Sequence, residues 1–72
     1  MTHIHKNAAA PDEGSVYRFE LNGVPLYEAR IRAVNGCWAT IEVIRPIEGP
    51  HLSQYKPGQQ FDIKVASYTI TR

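Results

Sequence analysis

The chain has 72 residues, a formal net charge of +1 and one cysteine. That length allows one domain at most, and a chain this short buries only ~60% of its unfolded surface, which leaves little room for a deep catalytic cleft. The charge is not the strongly basic footprint of a dedicated nucleic-acid binder, and a single cysteine excludes an internal disulfide.

Residues 1–14, MTHIHKNAAAPDEG, show no periodicity and no large apolar residue except Ile4. They read as a flexible tail in front of a domain spanning residues 15–72. His3 and His5 are residue types that suit copper or nickel. With no cysteine or acidic cluster beside them, a solvated tail is the expectation, and neither a metal nor a cofactor is predicted.

Val16 to Leu21, VYRFEL, alternates, with Tyr17, Phe19 and Leu21 on one face and Arg18 and Glu20 on the other. This predicts a first strand. Asn22-Gly23 is a turn signal. Pro25 has no N–H to donate and belongs at a strand start or edge.

Tyr27 to Ala33 and Cys37 to Val43 each alternate strictly, with Asn35-Gly36 between them. They predict a central hairpin, and the first strand adds to it as a meander. If Asn35-Gly36 were a two-residue loop, Ala33 would face Trp38 and mix apolar with polar faces. A three-residue loop, Val34-Asn35-Gly36, pairs Ala33 with Cys37, Ile31 with Ala39, Ala29 with Ile41 and Tyr27 with Val43. That register is the expected one, since a one-residue slip flips every side chain. It buries Cys37 as a small apolar thiol. It also sets Arg32 opposite Trp38, Arg30 opposite Thr40 and Glu28 opposite Glu42, with both arginines in cation–π reach of the indole.

Arg45 to Gly58 holds three prolines and two glycines. It reads as a long connection with a short extended piece near His51–Ser53, ending in a Pro57-Gly58 turn. Gln60 to Val65 alternates again. The apolar phase then shifts from Phe61, Ile63 and Val65 to Tyr68 and Ile70, which predicts a bulge or bend near Ala66-Ser67 and a last strand at Tyr68–Arg72. Five antiparallel strands with a bend predict an all-β fold, a small barrel of OB-like or SH3-like form.

No glycine-rich phosphate loop, CxxC or HExxH occurs. Ser53 has His51 two residues away but no acid to orient it. Glu28 and Glu42 facing each other read as a solvated pair. No enzyme is predicted. No apolar run of ~18 residues or signal-peptide core is present, so a cytoplasmic protein without a membrane partner is expected.

Three stretches, Gly36-Cys37-Trp38-Ala39, Gly49-Pro50-His51-Leu52-Ser53 and Lys56-Pro57-Gly58 leading into Phe61, Ile63, Lys64 and Val65, resemble in order a known family. It is the OB-type RNA-binding "S-one" domain repeated in the largest small-subunit ribosomal protein, matched over roughly residues 28–66. The His-x-Ser segment comes one residue early, the stretch from Ser53 to Lys56 is shorter, and Val16–Leu21 is an added strand. An SH3-like barrel, or a circularly rearranged OB-like one, fits these departures.

The resemblance implies single-stranded RNA held on a strand face, with Trp38 and His51 as site residues. Lys64 joins the expected site as a basic residue whose clustering with Arg18, Arg30 and Arg32 on one face would favour nucleic acid. The residues by themselves nominate Trp38 with Arg30 and Arg32, as an aromatic platform flanked by guanidinium groups. Trp38 could equally pack beneath the Arg45–Gly58 loop or the tail. The expected function is therefore a non-catalytic binding module for single-stranded RNA. The alternative is an SH3-like protein-interaction module or small accessory subunit, with a partner protein or a second copy as its target.

Overall fold

In a computed structural model, which describes residues 11–49 and 52–72, five strands form one antiparallel sheet. They are β1 (Val16–Leu21), β2 (Val24–Asn35), β3 (Trp38–Pro46), β4 (Gln60–Lys64) and β5 (Thr69–Thr71), in the spatial order β4-β3-β2-β1-β5. The first four are sequential neighbours, and β5 returns to pair with β1. A 3-10 turn, Val65–Ser67, carries the chain from one edge of the sheet to the other.

One sheet with no second layer can bury its apolar face only by curling on itself. Phe19, Tyr27, Ile31, Ile41 and Val43 are all fully buried, and Ile63 of β4 and Ile70 of β5 join the same cluster. The result is a small barrel-like all-β fold, open along the seam between β4 and β5.

The β1–β2 turn is a two-residue loop at Asn22-Gly23, with φ of 54° and 80°. Two successive left-handed residues make the turn whose twist suits a hairpin, and Asn-Gly is its preferred dipeptide. The next hairpin departs from expectation. Its loop is Gly36-Cys37, and Asn35 pairs with Trp38. Gly36 has a φ of 63° and Cys37 does not share the left-handed region, which suits a turn with Gly at the first loop position.

Beyond that turn the observed pairs are Val34 with Ala39, Ala33 with Thr40, Ile31 with Ile41, Ala29 with Val43 and Tyr27 with Pro46. The register expected from alternation is corrected by two to three residues. A bulge at Arg32 and another opposite Glu28-Ala29 make this possible. The physical reason is burial. The bulges let Val34 and Ala39 share the inner face with Ile31 and Ile41, and each fully buried isoleucine is worth ~1.5–3 kcal/mol. A third bulge between Phe19 and Glu20 places Leu26 and Tyr27, neighbours in sequence, both in the core. The same phase change leaves Leu21 36% exposed rather than inside.

Three further expectations are corrected. Cys37 is exposed at the hairpin tip, because the shorter loop takes it out of the strand. Its backbone oxygen accepts the Val65 N–H at 2.9 Å. Residues 11–14 are bound to the sheet rather than free. Gly14 N–H donates to Ile31 O and Ile31 N–H to Ser15 O, while the Glu13 carboxylate accepts the Val34 N–H at 2.9 Å. These bonds satisfy the part of β2 that runs past the end of β1. Finally, Leu52–Gln54 is a 3-10 turn rather than an extended piece. The Pro57-Gly58 turn is present, closed by Gln59 N–H on Lys56 O.

Asp12 and Arg72 meet at Tyr17. Its hydroxyl accepts the Asp12 N–H at 2.8 Å, and Arg72 lies over its ring at 5.0 Å while also bonding the Asp12 carboxylate.

Candidate binding face

Side chains at alternate positions of each strand point away from the core, and cross-strand pairing orders them into rows. At the hairpin end, Trp38 lies between Asn35 and Lys64. The next row is Ala33, Thr40 and Asp62, with Thr40 Oγ1 donating to Asp62 at 2.6 Å. Then come Arg30, Glu42 and Gln60. The last row sets Arg18 and Arg45 on either side of Glu28.

Trp38 is 49% exposed, so it is not buried in a second core. Lys64 makes no ion pair among the described residues. The arginines behave differently from expectation. Arg32 pairs with Glu42 at 3.4 Å, and Arg30 donates from Nη1 to Gly14 O at 2.8 Å. Among the described residues the one cation–π contact is that of Arg72 on Tyr17. The register shift is the cause, since it moves Arg30 and Arg32 beside Glu42 and away from Trp38. It also separates the supposed carboxylate pair, because Glu28 bonds Arg45 at 2.9 Å.

Acids and bases therefore alternate across this face. Exposed pairs of this kind contribute only ~0.2–1 kcal/mol each, but they neutralise the local field. Of the five expected site residues, Trp38 and Lys64 are brought together. Arg30 and Arg32 share their face at a distance along it. His51 lies outside the described residues, as do His3 and His5. Among the described residues there is no group of three or more His, Cys, Asp or Glu that could hold a metal.

A second feature escaped sequence reasoning. Tyr27, Tyr55, Phe61, Phe19 and Tyr68 form a continuous aromatic cluster at the far end of the β2–β3 hairpin from Trp38. Tyr27 is its centre, with ring centroids 4.7 Å from Tyr55, 5.9 Å from Phe61 and 5.3 Å from Phe19. Tyr68 reaches Phe19 edge-on at 6.1 Å. Tyr27 and Phe61 were legible as inward strand residues. Tyr55 sits in an irregular loop with no periodicity to place it. Burial pushes the Tyr27 phenol well above its ordinary pKa, and the Tyr68 and Tyr55 phenols add to this. Tyr55 is raised in turn, by burial first and then by Tyr68.

The chain matches no protein-family model, no curated protein and no solved structure.

Proposed function

We propose that this chain is a non-catalytic binding module that docks a protein partner on the outer face of β3 and β4, with Trp38 as the anchor. The observation that carries this reading is Trp38 itself. It is a half-exposed tryptophan on a face whose other charges are interleaved. Tryptophan is over-represented among the residues that dominate protein interfaces, and a polar, mixed-charge rim is the usual surround. The fold adds support, since a meander of four strands with a fifth returning beside the first across a 3-10 turn favours the SH3-like form of the barrel over the OB-like one.

RNA binding is the second reading, and the Trp38–Lys64 adjacency favours it, as a base stacked on the indole would set its phosphate near a cation. The neutralised arginines weigh against it.

The test is a random-peptide display selection on the immobilised domain, with counter-selection on Trp38→Ala. A recurring motif is expected whose binding drops by about 2 kcal/mol or more in the variant, with an unchanged melting temperature. A parallel titration with mixed-sequence single-stranded RNA decides the rival. Trp38 quenching that fades as salt rises would move the assignment to nucleic acid.

A further inference from the structure

The two edges of the sheet are unlike. β5 is three residues long, and so short an edge offers little for another strand to pair with. β4 is the longer edge, and among the described residues it is bound to β3 alone. Its hydrogen-bonding phase follows from the bonds that frame it. Val43 N–H donates to Gln59 O at 2.8 Å, and Val65 N–H donates to Cys37 O at 2.9 Å. Bonded and non-bonded pairs alternate along an antiparallel ladder. With Lys64 opposite Trp38 and Phe61 opposite Ile41, it is Gln59, Phe61, Ile63 and Val65 that turn their peptide groups toward β3. Gln60, Asp62 and Lys64 therefore turn theirs toward the open edge, and all three are exposed.

An unpaired edge invites another strand, and a lysine on it is a common guard. Here the guard is half of a pattern. Asp62 and Lys64 stand two positions apart on one face, and neither takes part in an ion pair among the described residues. Asp62 accepts the Thr40 hydroxyl at 2.6 Å, which leaves its charge unanswered.

Opposite charges directly across a ladder are favourable, and like charges are not. A twofold axis at Ile63 sets Asp62 opposite Lys64 of a second copy, and Lys64 opposite its Asp62. Both positions face the edge, so each pair also exchanges N–H to C=O bonds in both directions. Moving the axis to Asp62 sets two carboxylates face to face. Moving it to Phe61 leaves Asp62 opposite Gln60. The edge thus complements itself in one register.

We propose that β4 is a self-association edge, at which two copies of this chain pair antiparallel about Ile63 and join their sheets. The contact is isologous, so it closes at a dimer and leaves no β4 edge free. It uses the strand edge rather than the outer face on which Trp38 stands, so the dimer and a Trp38-anchored partner succeed or fail apart.

The experiment follows the full chain by sedimentation velocity from micromolar to millimolar concentration, with amide chemical shifts from NMR on the same samples. A weak dimer is expected, with concentration-dependent shifts centred on Gln60, Asp62 and Lys64. Lys64→Asp makes the edge all acidic and Asp62→Lys makes it all basic, so each variant alone should self-associate about tenfold more weakly. Mixed together, the two should associate again, because each answers the other's charge at both pairs. A chain carrying both changes restores the match within one molecule and should dimerise as the wild type does. A wild type that stays monomeric throughout the range would overturn the proposal. So would a dimer that both single variants leave intact, or variants that fail to associate on mixing. Shifts centred instead on the exposed apolar residues Trp38, Ile44 or Leu52 would also overturn it, by placing the contact on another surface.

Discussion

Asn22-Gly23 and Asn35-Gly36 are the same dipeptide, and each stands between two antiparallel strands, yet they are used differently. At the first, both residues are left-handed and together form the loop. At the second, Asn35 stays in the ladder opposite Trp38, and the loop moves one residue on to Gly36-Cys37. At the first hairpin the residues next to the turn, Leu21 and Val24, are at most half-buried, and a bulge at Leu26 brings Phe19 and Tyr27 inside without moving the loop. The second joins the two longest strands, and its turn gives way to the demand that Ile31, Ile41, Ala29 and Val43 lie inside. A turn signal locates a reversal; the core decides its register.

Three measurements would break or sharpen this comparison. The largest effect is expected at the core. Ile31→Ala should cost ~2–5 kcal/mol, enough to unfold much of so small a domain, read by urea denaturation. A loss under ~1 kcal/mol would show that the turn rather than the core holds the register.

A smaller effect belongs to the glycines. Added Cβ atoms at Gly23 and Gly36 would meet nothing within 4 Å, so alanine is opposed there by backbone conformation alone, with φ of 80° and 63°. Each substitution should cost ~1–2 kcal/mol. A neutral Gly36→Ala would place Gly36 outside the left-handed position.

The finest discrimination comes from the asparagines. Asn22→Ala forces an alanine to a φ of 54° and should cost ~1 kcal/mol. Asn35→Ala sits in an exposed strand position and should change stability by less than ~0.5 kcal/mol. Equal losses at both sites would return Asn35 to the loop.

The comparison extends to the candidate sites. Trp38, Lys64, Arg30 and Arg32 were all legible as outward-facing, because parity along a strand is local. Their neighbours were not, since a shift of two residues beyond the bulge and three at the hairpin end changes every cross-strand partner. That shift turned a supposed Trp38–arginine platform into Arg32–Glu42 and Arg30–Gly14 contacts, with Lys64 left beside Trp38. The tyrosine cluster was less legible still, because it joins Tyr55 from an irregular loop to Tyr27, Phe61 and Tyr68 from three other places in the chain.

The sequence by itself determined where strands occur, which faces alternate, and where the chain reverses. These follow from steric preferences and side-chain period within a few residues. The tertiary structure alone decided the bulges at Arg32, Leu26 and opposite Glu28-Ala29, the exposure of Cys37, and the docking of residues 11–14 along β2. Each of these balances a local preference against burial or hydrogen bonding with residues distant in sequence.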